Sequence, residues 1–396
     1  RQRQMCIRDR ASACSVGYGG IAEALFKMGL GNHIGFKMRA DKTTHEMFQP
    51  MYGSIVLEMV SDSPAGEILG ETTKEYVFEA CGEKLDMAEL QEIWESKLEP
   101  VYPYRKAGPA VEKINGSLTA PAAPKIGVAK PKVIIPVFPG TNCEYDTAKA
   151  FARAGADPEI LVIRNLTPAD VAESCKALVK AIDNSQIVML PGGFSGGDEP
   201  DGSGKFIANV LNNKDISEEI HRLLDRGGLI LGICNGFQAL VKSGLLPYGR
   251  LGLVTRESPT LFRNDINRHV SQIVSTRVAT TNSPWLSSFS VGDIHSIAVS
   301  HGEGKFVVSE PLARELFENG QVAFQYVDAE GRVTAEAPYN PNGSYYAIEG
   351  IVSRDGQILG KMGHTERYGE NLFKNIAGEK VQDIFTNAVN YFRKTK

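Results

Sequence analysis

The 396-residue sequence lacks a strong excess of charge of either sign, because 43 basic residues are nearly balanced by 47 acidic ones. A basic surface for nucleic acid or for an anionic membrane is therefore not expected. The sequence also lacks an apolar run as long as a membrane span, and its N-terminus has no apolar stretch resembling a signal peptide. We predict no nucleic-acid or membrane partner and a small-molecule substrate.

Paired cysteines are absent as well. The chain has no CxxC pair and no metal-ligand spacing, and it is too long to depend on disulfide staples. This pattern predicts no metal site and a reducing, cytoplasmic compartment. The six cysteines are scattered: Cys6, Cys14, Cys81, Cys143, Cys175 and Cys234.

Composition divides the chain into four predicted segments. Residues 1–10 show no period and resemble translated sequencing adapter, so we expect a non-native tail there. Residues 11–104 are typical of a small α+β domain, and residues 105–130, rich in Ala, Pro, Gly and Lys, are typical of a linker. Residues 131–396 form the last segment. If the tail is non-native, the natural start of the protein is missing.

The last segment alternates strand and helix patterns, which predicts an α/β fold with a mostly parallel sheet. Thr167 and Pro168 supply an N-cap and a first-turn proline for one of the helices. The predicted strands cover 133–138, 160–163, 187–190 and 229–233, the predicted helices 146–154, 167–182 and 217–226, and a hairpin turn lies at 353–356.

The sequence 232–236, Gly-Ile-Cys-Asn-Gly, places small residues two positions before and after Cys234 at a strand-to-helix junction. Such a turn exposes a nucleophile beside a helix N-terminus, which favours the thiolate. An isolated cysteine is usually a core residue. The flanking glycines favour a nucleophile instead.

A thiol that attacks a carboxamide needs oxyanion donors and a base. The glycine-rich loop 190–199 offers backbone N–H groups, with Gly193 and Asn235 as the pair, although such loops also occur as ordinary surface loops. His364 is the first choice as base, because Glu366 two residues later shares its face in an extended segment and can orient the imidazole. The alternatives are a surface His–Glu pair, and His301 as base or as a positioning residue.

The pattern Gly-x-Cys-x-Gly-x-Gln at 232–238 resembles the class I (triad) glutamine amidotransferases, whose glutaminase domain is flavodoxin-like. Five motifs in order are similar to those of the phosphoribosylformylglycinamidine synthase family. They are 138–144 (Phe-Pro-Gly-Thr-Asn-Cys-Glu), 191–195 (Pro-Gly-Gly-Phe-Ser), 232–238 (Gly-Ile-Cys-Asn-Gly-Phe-Gln), 301–304 (His-Gly-Glu-Gly) and 363–367 (Gly-His-Thr-Glu-Arg).

The resemblance implies that Cys234 attacks glutamine, that His364 carries protons and that Glu366 orients His364. It implies oxyanion or substrate contacts for four residues and accessory roles for three more, with the Cys143 thiol structural. The first four are Gly193, Phe194, Asn235 and Gln238, and the accessory residues are Ser195, His301 and Asn142.

Residues 11–104 resemble the C-terminal domain of aminoimidazole ribonucleotide synthetase, on the strength of 19–25 (Gly-Gly-Ile-Ala-Glu-Ala-Leu). In the intact enzyme this family uses ATP and Mg²⁺ to amidate formylglycinamide ribonucleotide, whereas the glutaminase domain needs no cofactor. The implied partner is the missing N-terminal synthetase portion, so we expect this chain alone to lack the ligase step.

Two other functions stay open. One is a different triad amidotransferase, such as those that feed GMP or CTP synthesis, whose partner sequences residues 11–104 do not resemble. The other is a non-catalytic flavodoxin-like binding subunit, for which loss of the nucleophile would be the sign. The presence of Cys234, His364 and Glu366 together favours an enzyme.

Overall fold

A computed structural model describes residues 10–60, 66–101, 127–196 and 204–393. The predicted tail over 1–10 and linker over 105–130 lie almost wholly outside the described residues. The chain divides into two compact units: the first runs to Pro103 and also includes Gly369–Ala377, and the second holds the rest. The predicted domain bounds stay a prediction, and no sequence pattern had indicated that Gly369–Ala377 joins the first unit.

The first unit has an antiparallel strand pair, β1 with β3, and a four-stranded sheet in the order β4-β2-β5-β6. Its core includes Ile21, Phe36, Phe78 and Met87. The strands are Arg10–Ser15 (β1), Gly35–Met38 (β2), Ile55–Met59 (β3), Gly70–Thr73 (β4), Val77–Ala80 (β5) and Glu83–Asp86 (β6), and the helices are Gly20–Leu30 (α1), Thr44–Met47 (α2) and Met87–Ser96 (α3). This unit is α+β, while its resemblance to a synthetase domain stays a prediction.

The second unit holds the remaining elements. Its strands are Lys132–Val137 (β7), Asp157–Val162 (β8), Ile187–Leu190 (β9), Leu229–Ile233 (β10), Thr260–Phe262 (β11), Val270–Val278 (β12), Ile294–His301 (β13), Lys305–Val307 (β14), Val322–Val327 (β15), Ile348–Val352 (β16) and Ile358–Lys361 (β17). Its α-helices are Glu144–Ala154 (α4), Pro168–Asp183 (α5), Lys205–Leu211 (α6), Lys214–Asp225 (α7), Asn235–Ser243 (α8), Leu245–Tyr248 (α9), Glu310–Glu318 (α10) and Ile384–Arg393 (α11), with 3₁₀ turns at Pro284–Leu286, Tyr345–Ala347 and Thr365–Arg367.

A nine-stranded sheet forms the centre of this unit, in the order β13-β12-β15-β16-β17-β10-β9-β7-β8. The strands from β8 to β17 along this order pair in parallel, and those from β17 to β13 pair antiparallel. The predicted α/β class is confirmed. The predicted hairpin at 353–356 joins the antiparallel strands β16 and β17. The rest of the antiparallel half, which makes the sheet mixed, was not predicted.

Sequence and environment agree along the parallel half. Every residue of β9 and β10 is buried, as expected for apolar strands covered by helices on both faces. Helix α5 begins as predicted: Thr167 forms a capping box with Asp170, and Pro168 occupies the first turn. Because the carboxyl ends of parallel strands share one edge of a sheet, the loops after β7, β9, β10 and β17 meet there.

No helix within the described parts of the chain is both long enough and apolar enough to cross a membrane.

Candidate active site

Cys234 lies on a tight elbow between β10 and α8. Its backbone has φ 53° and ψ −106°, a conformation that non-glycine residues rarely adopt outside functional turns. A Cβ on Gly236 would lie 1.9 Å from the carbonyl oxygen of Leu190. The neighbouring strand therefore leaves room only for glycine there, which gives a physical reason for the small residue in the motif.

His364 and Glu366 form a buried pair after β17. Nδ1 of His364 lies 2.5 Å from Oε1 of Glu366, and each residue is 2% exposed. The segment is a 3₁₀ turn rather than the extended chain assumed from the i, i+2 spacing. The predicted pair is nevertheless brought together.

Charge sets the protonation of this pair. Burial opposes the charged imidazolium, but the Glu366 carboxylate raises the pKa of His364 well above its ordinary value. Burial likewise opposes the carboxylate, yet the charge and hydrogen bond of His364 lower the pKa of Glu366. The pair is therefore an imidazolium and a carboxylate near neutral pH, a form that can donate a proton.

Gly192 lies against both His364 and two cysteines. A Cβ on this glycine would lie 2.8 Å from Cε1 of His364, 3.2 Å from Sγ of Cys143 and 3.4 Å from Cβ of Cys234. Nε2 of His364 is buried without a hydrogen-bond partner among the described residues, and Cys234 also raises the pKa of His364. The elbow thiol and the imidazole thus share one small space.

Cys143 lies at the border of the site, and its structural role stays a prediction. Its Sγ lies 3.9 Å from Nδ1 of His364 and accepts a hydrogen bond from Arg367 at 3.3 Å. Its position in the loop after the first strand of the parallel sheet was the available signal, since that loop ends at the edge where ligands bind. Arg367 ends the 363–367 motif, but the sequence predicted no role for it.

Atoms of Cys143, His364 and Glu366 lie within 4.8 Å of one another and could in principle ligate a metal ion. The Arg367 guanidinium on the same sulfur would oppose a cation there, and His364 and Glu366 already bond to each other. The chemistry of this donor set fits proton transfer better than metal binding.

The glycine-rich loop after β9 is hydrogen-bonded to the loop after β7. The Phe194 amide donates to the Gly140 carbonyl at 2.8 Å, and the amides of Asn142 and Cys143 donate to the Gly192 carbonyl, both at 3.2 Å. This fixes the backbone around Gly193. Asn235 begins α8, and the amide groups of a first helical turn have no intrahelical partner.

Buried side-chain amides connect three loops at the elbow. The Ser195 amide donates to Oδ1 of Asn235 at 3.2 Å, and Nδ2 of Asn235 donates to Oε1 of Gln238 at 2.9 Å. Nε2 of Gln238 donates in turn to the Glu303 carbonyl at 2.5 Å. The side chain of Gln238 therefore joins α8 to the loop that follows His301.

His301 is buried, and in the part of the chain that the structure describes neither of its ring nitrogens has a hydrogen-bond partner. Burial, together with the nearby charges of His364 and His269, lowers the pKa of His301 to about 3. It has no carboxylate partner comparable to Glu366.

Phe194 is 37% exposed, with its ring centroid 6.3 Å from that of His269.

The site has a thiol on a strand-to-helix elbow, next to a buried histidine–carboxylate pair, at the carboxyl edge of a parallel sheet. This arrangement defines the class I glutamine amidotransferase architecture. Residues 130–392 match the family described as "CobB/CobQ-like glutamine amidotransferase domain".

Similar proteins specify the family further. The chain is 38% identical over 283 residues to phosphoribosylformylglycinamidine synthase subunit PurQ of Methanococcus maripaludis strain C7, covering 67% of this chain and 98% of that protein. PurQ of Treponema denticola is 37% identical over 281 residues, with 66% and 99% covered. The chain belongs to the glutamine amidotransferases, in the family of the PurQ subunit, and the predicted relationship is confirmed.

Among solved structures, the Thermotoga maritima PurLQS structure is similar at 27% identity with a TM-score of 0.48. The similarity covers 66% of this chain and 99% of that one.

Proposed function

We propose that this chain hydrolyses glutamine as the glutaminase of a phosphoribosylformylglycinamidine synthase in purine biosynthesis. Cys234 is the nucleophile, His364 the proton carrier and Glu366 the group that orients His364. The observation that carries the proposal is the buried His364–Glu366 pair beside the elbow thiol. The names of the relatives support the choice of this synthase over other triad amidotransferases.

Glutamine hydrolysis proceeds in two steps. The Cys234 thiolate attacks the γ-carboxamide carbon, and the C–N bond breaks as His364 protonates the nitrogen, giving ammonia and a glutamyl thioester. His364 then takes a proton from water, whose oxygen attacks the thioester carbon. The C–S bond breaks and releases the Cys234 thiolate and glutamic acid, whose carboxyl proton passes to solvent. The raised pKa of His364 supports the first step, since the imidazolium holds the proton that the leaving nitrogen needs.

The remaining predicted residues surround this centre. The backbone N–H groups of Gly193 and Asn235 hold the oxyanion. Gln238 acts by fixing the elbow to the Glu303 loop, in keeping with its hydrogen bonds. Phe194 is the further proposed contact with the substrate. Ser195, Asn142 and His301 have proposed accessory roles.

The ammonia serves the amidation of formylglycinamide ribonucleotide, which in the intact enzyme consumes ATP with Mg²⁺. That step belongs to the synthetase portion, the proposed partner of this chain. The glutaminase domain needs no cofactor of its own, and we place the reaction in the cytoplasm.

Glutamate release from glutamine tests the proposal, measured on the purified chain alone and with a synthetase fragment of a relative. Cys234→Ala should lower the rate by at least ~10³-fold, as loss of a nucleophile does. Cys143→Ala should retain most of the activity, and the matched control Cys175→Ala, in α5, should retain all of it. Full activity of Cys234→Ala, or no glutamate from the wild type even with the fragment, would contradict the proposal.

A further inference from the structure

Lys361 and Glu349 form a fully buried ion pair next to the proposed catalytic segment. Lys361 ends β17 and Glu349 lies on β16, the side chains of both are 0% exposed, and Nζ lies 3.6 Å from Oε1. Burying two charges is costly, and an apolar pair of similar size often stabilises a fold as well or better. The buried pair therefore indicates a role beyond stability, in the segments to which its two groups are hydrogen-bonded.

The lysine ammonium holds both neighbours of His364. Nζ donates to the Gly363 carbonyl at 3.1 Å and to Oγ1 of Thr365 at 2.9 Å. The Thr365 hydroxyl donates onward to Oε1 of Gln382 at 2.6 Å. The chain is thus fixed immediately before and immediately after the imidazole.

The carboxylate holds the same segment from the other side. Oε1 of Glu349 accepts from the Gly363 amide at 2.6 Å, so Gly363 bonds to the ion pair through both its N–H and its C=O. The Glu349 carbonyl accepts from the Met362 amide at 3.2 Å. This leaves the turn that carries His364 little freedom to shift.

Lys361 also reaches the nucleophile. Its carbonyl accepts from the Cys234 amide at 2.8 Å, where β17 runs parallel to β10. One residue therefore contacts the elbow through its backbone and the histidine turn through its side chain. The separation of thiol and imidazole depends on both sets of bonds.

We infer that the Lys361–Glu349 pair is a positioning device for glutamine hydrolysis, which sets the His364 turn against the Cys234 elbow. The inference depends on the proposed role of His364. Neither Lys361 nor Glu349 touches substrate, and both act through His364. A loss of the pair should therefore lower kcat and leave the KM for glutamine unchanged.

The test variant is Lys361→Met with Glu349→Gln, because it removes both charges at similar size and leaves no uncompensated buried ion. We expect a cooperative unfolding transition, a kcat lower by ~30- to 100-fold and an unchanged KM, since displacement of a reacting group by about 1 Å costs on the order of 10²-fold. The low-field proton resonance of the His364–Glu366 hydrogen bond should shift or broaden.

The matched control is Glu219→Gln in α7. Glu219 is also buried and ion-paired, and among the described residues its hydrogen bonds come from Arg222 and, at 3.1 Å, from Arg226, within and directly after α7. It should lower stability without changing kcat or the proton resonance.

A folded double variant with kcat within twofold of wild type and an unmoved resonance would overturn the inference. Should the double variant fail to fold, Thr365→Val removes only the hydroxyl that bonds to Lys361, and it should lower kcat by ~10-fold at unchanged KM. Unchanged kcat in Thr365→Val would then overturn the inference. If the wild type releases no glutamate, the proposed function fails, and the resonance alone decides whether the pair positions His364.

Discussion

Gly192→Ala is the substitution whose effect the geometry of the site defines most closely. The added methyl group would lie 2.8 Å from Cε1 of His364 and 3.2 Å from Sγ of Cys143. Carbon atoms normally approach to about 3.5–4.0 Å, so the ring or the loop must give way by about 1 Å. The loop has little freedom, because the Gly192 carbonyl accepts from two amides of the opposite loop.

A displacement of about 1 Å between thiol and imidazole predicts a kcat for glutamine hydrolysis lower by ~10²-fold, equivalent to about 2.7 kcal/mol in activation free energy. The assay is steady-state glutamate release, with unfolding followed in urea to show that the fold persists. Gly31→Ala is the matched control, since a Cβ there would meet nothing within 4 Å and its φ of −67° suits alanine. A folded Gly192→Ala enzyme with kcat within twofold of wild type would refute the reasoning.

Three further predictions concern the same site. Because Glu366 raises the pKa of His364 and His364 lowers the pKa of Glu366, the pair contributes its full stabilisation between about pH 4.5 and about pH 6.5. This contribution is lost as pH rises through the raised pKa of His364 or falls through the lowered pKa of Glu366. Glu366→Gln should therefore flatten the pH dependence of the unfolding free energy above about pH 6.5, and an unchanged slope would contradict this. Gln238→Leu removes the bonds to Asn235 and Glu303 and should lower the free energy of unfolding by ~1–3 kcal/mol, whereas an unchanged urea midpoint at equal slope would count against it. His301 has a pKa of about 3 and holds no proton near neutrality, so His301→Gln should leave the pH–rate profile in place, and a shifted limb would show that His301 titrates in the reaction.

The parallel half of the sheet could be predicted from the sequence because its signals are local. The apolar runs of β9 and β10 are short and uninterrupted, and the cap at Thr167 stands directly before its helix. The Gly-x-Cys-x-Gly elbow is local too, since the strand, the nucleophile and the helix follow one another. These patterns involve residues that are close in sequence, so they can be recognised without knowledge of the fold.

The antiparallel half carries weaker signals. Its strands bury polar groups that pair across the sheet, so the apolar alternation is broken. Arg277 on β12 is 2% exposed and donates to Oε1 of the fully buried Gln325, opposite it on β15, at 3.2 Å. Neither residue marks a core position until its partner is known.

The site divides in the same way. The His364–Glu366 pair was predictable because its two members are only two positions apart in the chain. Cys143 is 221 residues from His364, and its contact with the imidazole arises only when β7 and β17 join the same sheet. The hydrogen bonds of Lys361 to both Cys234 and the His364 turn likewise depend on strand pairing, and the hydropathy pattern does not reveal that pairing.

The central claim is that Cys234 carries the glutamyl group. The most direct measurement mixes the chain with glutamine, in the presence of a synthetase fragment, quenches in acid within the first turnovers and maps the labelled peptide by mass spectrometry. The account predicts one glutamyl group on the peptide that contains Cys234, with none on that of Cys143. A glutamyl group on Cys143, or release of glutamate without any acylated cysteine in the first turnovers, would contradict it.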